Sequence, residues 1–408
     1  MLALVFCALP LVFSMCCCEK QQAEDVVFEN VAPESVGMDS QRLAKVDEII
    51  NASIENREIP GAVLAVVRHG KLAYLKAYGY KSVYPDTVAM TTNTVFDLAS
   101  CSKVVGTAMS MAHLMECGGF RVTDKVSMYI PGFQPWVDPQ TGKKTDIRII
   151  DLLTHSSGLP PYVSPEVVIK KCGVADPDSL MNYICTMPRD FKPTTQFQYS
   201  CLNFITLQNI LQRVTGKTLA EYAQENIFDV LGMKHTTYNP KALNKEEIMA
   251  LVAPTEKQPD GSVLLGEVHD PLARVMNHGN SGNAGVFSNA EDLAILAAAL
   301  MNDGCINGKH VLGKLTLETM TVVPAGFEHI GRSLGWDNYS PYASNNGNLF
   351  HPTRTFGHTG YTGTSFIVDP VSETAVILLA HRVHPEDKGG VVRLRALVAN
   401  VVAGAVIK

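Results

Sequence analysis

Strand-forming runs lie toward the two ends of this 408-residue chain, and helical periodicity fills the middle. Residues 61–79, "GAVLAVVRHGKLAYLKAYG", read as a hairpin in which two β-rich runs flank a turn at His69-Gly70. Late in the chain, "TSFIVDP" and "ETAVILLAH" bracket a second turn at Asp369-Pro370. Helices are expected over 100–116, 202–214, 219–230 and 290–301. Residues 38–60 carry Leu43, Val46, Ile49 and Ile50 at helical spacing, with Asp39 or Ser40 as cap. A last apolar helix is expected over 391–406. The economical solution is an α+β fold: one antiparallel sheet built from both termini, flanked by terminal helices, with a helical subdomain inserted. An active site then belongs in the cleft between the two lobes.

The net charge of −6 comes with no basic run, so nucleic acid is not an expected partner. "VTGKT" at 214–218 resembles the end of a phosphate-binding loop, but Leu211 stands where that loop needs glycine. The first 18 residues, "MLALVFCALPLVFSMCCC", form an apolar run that ends in three cysteines. The run is short for a membrane span and resembles a secretory signal, of the lipoprotein kind in its terminal cysteines. A retained anchor or a buried helix are the alternatives. The expected organisation is an export signal over 1–18, a tether over 19–34 and one domain over 35–408. The expected location is the periplasm or outer membrane of a bacterium. The other six cysteines form no C-x-x-C pair and no zinc spacing, so small buried hydrophobes are their default reading.

The stretch "LASCSKVV", residues 98–105, places Ser100, Cys101 and Ser102 ahead of Lys103. If Ser100 opens a helix, it shares a face with Lys103, and Cys101 and Ser102 turn away. A serine hydroxyl needs a base, and an amine can serve if its pKa is lowered by burial. Geometry therefore selects Ser100 as nucleophile and makes Cys101 and Ser102 packing residues.

Two further stretches supply partners: Tyr199 in "FQYSCLNF", and His358, Thr359 and Gly360 in "FGHTGYTGTSF". With them the chain resembles the class C β-lactamase-related serine hydrolases, within the serine β-lactamase and penicillin-binding-protein superfamily. Their ordered signatures S-x-x-K, Y-x-N and H-x-G fall on Ser100–Lys103, Tyr199–Cys201 and His358–Gly360. The resemblance covers roughly residues 35–405. It implies a β-lactamase/transpeptidase-like fold, with an acyl-enzyme on Ser100 and proton transfer shared by Lys103 and Tyr199. It also implies an oxyanion hole from the backbone N–H groups of Ser100 and Tyr361, with Cys201, His358, Thr359 and Gly360 at the substrate. Gly360 is expected to leave room for a substrate along the strand edge. No cofactor or metal is called for.

Two positions depart from the pattern. Cys201 stands where Asn is expected, and a thiol is a weak hydrogen-bond partner. His358 replaces a lysine and is mostly uncharged at neutral pH. Arg354 is a candidate to supply the missing charge, or a surface arginine. Asp151 with His155 lacks a G-x-S-x-G elbow, and His155 reads as structural. Asn283 shapes the cleft rim or occupies a turn. The leading expectation is an exported serine hydrolase acting on cell-wall peptides, as a D-alanyl carboxypeptidase or muropeptide amidase. Alternatives are a small-ester esterase, a class C-like β-lactamase, and a non-catalytic binder on the same fold. The expected partner is a small-molecule or peptide substrate such as a peptidoglycan fragment, with the membrane met only through a lipid anchor or the N-terminal segment. Oligomeric state is left open.

Overall fold

The computed structural model describes residues 29–408. The signal expected over 1–18, and the tether up to residue 28, lie outside the described residues. From Glu29 the chain is already docked rather than tethered: Leu72 N–H donates to the Glu29 carbonyl at 2.9 Å, and Val31 N–H to the Leu72 carbonyl at 3.0 Å. These ladder bonds tie residues 29–31 to the sheet.

Among the described residues the main sheet has six strands. They are β1 (Gly61–Arg68), β2 (Lys71–Ser82), β3 (Val88–Ala89), β4 (Phe356–Thr359), β5 (Ser365–Asp369) and β6 (Thr374–Ala380). Their order is β4-β5-β6-β1-β2-β3, and every neighbouring pair is antiparallel. The β1–β6 pairing, with Leu64 opposite Leu378, joins the two ends of the chain. The β1–β2 turn has φ of 49° at His69 and 72° at Gly70. Positive φ at both central residues matches the turn that suits a twisted hairpin.

Both faces of the sheet are covered, so all eight residues of β1 are buried. Ala62, Leu64 and Val66 pack with the terminal helices α1 (Ser40–Leu43), α2 (Lys45–Glu55) and α6 (Val392–Ala405). Val63, Ala65 and Val67 face the larger core with α3 (Met109–Glu116), α4 (Cys201–Thr215) and α5 (Ala290–Met301). Each of the larger aliphatic side chains so buried contributes about 2 kcal/mol. The helix expected over 38–60 is two pieces. Asp39 caps the first by accepting from the N–H groups of Gln41 and Arg42.

The helix expected over 100–116 is also not uniform. It starts as a 3₁₀ turn (Ala99–Cys101), widens to a π-helical stretch (Lys103–Ala108) and becomes α-helical only at α3. Such widened turns cluster at functional sites. "VTGKT" is the seam between two helices. Gly216, with φ of 70°, ends α4, and Thr218 caps the next helix in a reciprocal box with Glu221.

Candidate active site

Ser100 sits between the sheet and the helical lobe. Ala99 before it has φ of 45°, a left-handed conformation that costs a residue with a Cβ about 1–2 kcal/mol. Surrounding bonds hold the turn in place. Asp97 Oδ1 accepts from Ala99 N–H at 2.8 Å, Thr362 Oγ1 donates to the Asp97 carbonyl, and Thr364 Oγ1 donates to the Leu98 carbonyl. Strain sustained by many contacts is what a positioned functional residue displays.

The lysine meets the serine. Lys103 is fully buried, and its ammonium uses three directions. It donates to Ser100 Oγ at 3.1 Å and to the main-chain carbonyl of Asn283 at 2.9 Å, and approaches Cys201 Sγ at 3.5 Å. The Asn283 side chain is fixed by Ser281 Oγ at 2.7 Å and Asp270 Oδ1 at 3.3 Å. Cys201 thus reaches the lysine but does not line the cleft. Asn203 is no replacement: it bonds Ser157 and His155. Cys101 and Ser102 turn away, as the spacing predicts. Ser102 Oγ accepts from Val286 N–H at 3.0 Å, and burial pushes the Cys101 thiol up to about 11.

Tyr199 lies just before Ser200, the N-cap residue of α4. The Tyr199 ring centroid is 5.0 Å from the Lys103 ammonium, and among the described residues its hydroxyl has no partner within hydrogen-bond geometry, Lys103 and Ser100 being its polar neighbours. The neighbouring residues are both tied to His155. Gln198 N–H donates to the His155 carbonyl at 2.9 Å, and Ser200 N–H to His155 Nδ1 at 3.1 Å. The His155 and Tyr199 rings lie 4.5 Å apart. Asp151 does not touch His155: its carboxylate bonds Arg148 and Thr194.

Protonation runs against the expectation of a lysine amine depressed by burial. Burial does pull Lys103 down, but Cys201, Tyr199 and then Asp270 outweigh it and hold the group above its ordinary value. Burial raises Tyr199 and Cys201, with Lys103 opposing in each case. Cys201 and Tyr199 attract the Lys103 ammonium only while they are themselves ionised, so the three groups titrate as one coupled set. His358 is held well below the ordinary imidazole value, first by burial and then by the Arg332 and Lys103 charges.

The cleft beside Ser100 has a volume of about 490 Å³. Tyr199, Arg332, His358, Thr359, Gly360 and Tyr361 border it. Gly360 has a reason other than substrate room. A Cβ there would lie 2.3 Å from the Leu98 carbonyl and 2.1 Å from Thr364 Oγ1, so glycine lets the β4–β5 turn close on the serine's own turn. Arg395 of α6 donates from Nη2 to the Gly360 carbonyl at 2.7 Å and to the Thr364 carbonyl at 2.8 Å. Arg382 Nε donates to the Tyr361 carbonyl at 2.8 Å.

A serine hydroxyl against a buried lysine, with a tyrosine beside both and a cleft above, is an arrangement for acyl transfer. The beta-lactamase family model matches residues 46–400. The chain belongs to the beta-lactamase family. It is a serine hydrolase of that family, with the α+β fold of its members. It is 34% identical to the N-acetylmuramyl-L-alanine amidase of Bacillus subtilis (strain 168), over 86% of this chain and 83% of the relative. An Escherichia coli (strain K12) protein with the provisional name D-alanyl-D-alanine carboxypeptidase is 30% identical, over 90% of this chain and 88% of the relative. Among solved structures, EstCE1, described as a hydrolase with promiscuous acyltransferase activity, superposes with a TM-score of 0.70 at 21% identity. That match covers 89% of this chain and 99% of EstCE1.

Sequence reasoning named Asn283 without its contact to the lysine and missed Arg395 and Arg332. Asn283 serves the lysine through a main-chain carbonyl, which no side-chain signature announces. Arg395 reaches the β4–β5 turn from a helix that reads only as apolar. Arg354, weighed as a source of charge, is exposed, and the buried guanidinium groups at the cleft belong to Arg332 and Arg395. His381 and His384 stack on each other and bond the Lys81 and Thr255 carbonyls.

Proposed function

We propose that this chain is an exported hydrolase that opens amide bonds of cell-wall peptides through an acyl-enzyme on Ser100. The D-alanyl carboxypeptidase and muropeptide amidase reactions are the two forms of that chemistry. The observation that carries the reading is the 3.1 Å contact between Ser100 Oγ and Lys103 Nζ at the cleft. The two curated relatives, whose names concern muramyl and D-alanyl amide bonds, support the substrate class. The apolar run at the N-terminus supports export.

In this mechanism Ser100 Oγ attacks the substrate carbonyl as its proton passes to the Lys103–Tyr199 pair, which must first lose one proton from its resting state. The N–H groups of Ser100 and Tyr361 receive the oxyanion. Tyr199 returns a proton to the leaving nitrogen, and water then cleaves the ester at Ser100. Arg395 has a part in aiming one of those donors. The Gly360 carbonyl and Tyr361 N–H belong to one planar trans peptide and point in opposite directions. Drawing the carbonyl onto Arg395 holds the N–H facing the other way.

Intact-mass analysis after treatment with a fluorophosphonate and, separately, a penicillin tests the reading, alongside digestion of muropeptides. Adducts mapping to Ser100 and release of D-alanine or of a muropeptide stem support it. An adduct elsewhere, or none, overturns it.

A further inference from the structure

We propose that the cleft at Ser100 continues into a second cavity that binds the leaving group beyond its first residue, so that the enzyme releases peptide chains in preference to single amino acids. The proposal rests on the acyl-Ser100 reading and chooses between its two forms, in favour of release of a stem peptide.

The second cavity has a volume of about 330 Å³ and shares Asn346 with the cleft beside Ser100. Asn346 ends a 3₁₀ turn (Ala343–Asn346) and is half-buried, and its side-chain amide makes no hydrogen bond among the described residues. One acceptor and two donors at the junction are therefore free for a ligand. Two relationships put the junction on the leaving-group side. Tyr342, which borders the cleft just before that turn, has its ring 5.7 Å from the Tyr199 ring, edge to face. Tyr199 is the group assigned to the leaving nitrogen. The oxyanion donors belong to the other end of β4. A Cβ on Gly357 would lie 3.5 Å from Asn346 Oδ1, whereas Gly360 closes on the serine's own turn. Three residues of strand hold those two points about 10 Å apart.

Main-chain pairing along β4 is closed off at Gly357. Its N–H donates to the Asp337 carbonyl at 3.0 Å, and its carbonyl accepts from Asp337 N–H at 2.9 Å. A leaving group that runs toward the start of β4 meets this covered edge and turns outward over Asn346, into the second cavity.

The lining of that cavity suits a neutral polar chain. Asn346 and Asn348 offer amides, Tyr339, Phe350 and His351 offer aromatic rings, and no Asp, Glu, Lys or Arg borders it among the described residues. His351 Nδ1 accepts from the N–H groups of Thr353 and Arg354, at 3.3 and 3.1 Å, so Nε2–H remains as a donor. Amides and rings pair and pack with peptide groups, while a bare carboxylate finds no cation there. A leaving group of one amino acid ends in the cleft and leaves the cavity unused. A longer chain fills it, and binding energy gained away from the scissile bond can lower the barrier.

Steady-state kinetics on three neutral depsipeptides test this. All carry N-acetyl-D-alanine as the acyl group, and their leaving groups are D-lactamide, D-lactyl-glycinamide and D-lactyl-glycyl-glycinamide. In wild type kcat/KM is expected to rise about tenfold from the shortest leaving group to the longer two. The readout in variants is the ratio of long to short. Asn346→Ala should lose most of the gain, and Ala343→Trp, which fills the cavity, should lose all of it. Fluorophosphonate labelling of Ser100 and the melting temperature report whether each variant is folded. A wild-type enzyme indifferent to leaving-group length overturns the proposal without any variant. So does a folded Ala343→Trp protein that keeps the gain, or one that instead loses rate on substrates lengthened at the acyl end. If the esters show the length preference but no muropeptide is cleaved, the cell-wall reading falls and the subsite stands. If muropeptides are cleaved but terminal D-alanine leaves faster than the stem peptide, that reading stands and the proposal falls.

Discussion

Arg395, from the C-terminal helix, holds the carbonyl of Gly360 at 2.7 Å, 35 residues away in the chain. The bond crosses from a terminal helix to the turn that follows the H-x-G signature, and it fixes the peptide plane that carries Tyr361 N–H.

If that peptide is half of the oxyanion hole, its orientation matters in the transition state more than in the bound substrate. Arg395→Gln should therefore lower kcat about 10- to 100-fold with KM little changed. Steady-state kinetics on an activated ester separate the two parameters. A rise in KM at constant kcat would place Arg395 in ground-state binding instead.

The serine and lysine predictions are sharper. Ser100→Ala and Lys103→Ala should each cost about 10³-fold or more in hydrolysis. Cys101→Ala and Ser102→Ala should keep most activity. Ser102→Ala strands the buried Val286 N–H, so it should lower stability by about 1–3 kcal/mol, read by urea denaturation. A folded but inactive Cys101→Ala protein would reverse the assignment.

The pH dependence follows from the resting charges. Lys103 and Tyr199 both titrate above their ordinary values, and one must lose a proton before Ser100 attacks. kcat/KM should therefore keep climbing with pH above neutrality. His155 and His358 both stay neutral, so no limb should appear near the ordinary imidazole value. Asp270 is one of the charges that favour the ammonium. Asp270→Asn should move the rising limb to lower pH, and a limb that stays or moves up refutes this account.

His155 brackets the tyrosine through its carbonyl and its Nδ1. Its own φ of 55° is one that Asn also tolerates. His155→Ala should lower the rate of Ser100 labelling by fluorophosphonate about tenfold, and His155→Asn should restore part of it. Equal rates in the two variants would leave His155 a packing residue only.

Cys201→Asn tests the departure from the Y-x-N pattern. Asn brings both a donor and an acceptor to the place where the thiol meets Lys103. Acylation by penicillin, followed by mass, should speed up about tenfold. An unchanged rate would show that this position does not limit reaction with β-lactams.

Much of this molecule was legible in its residues. Alternating and continuous apolar runs at the two ends predict a sheet closed between the termini, and β1 paired with β6 is that closure. The spacing of Ser100 and Lys103 survives although the segment is a 3₁₀ and π-helical turn, because a three-residue offset brings side chains together in either geometry. Tyr199 and His358 could be named because their local signatures travel with them. What only the tertiary structure decided is everything carried by distant partners. The carbonyl of Asn283 on Lys103 and that of Gly360 on Arg395 are main-chain atoms that every residue possesses. The sequence cannot mark which of them will be used. The charge of each group is likewise set by burial and by neighbours far along the chain: Lys103 is coupled to Tyr199 and Cys201, and His358 stays neutral beside Arg332. Local patterns determine which side chains are available, and long-range packing determines which atoms meet and in what protonation state.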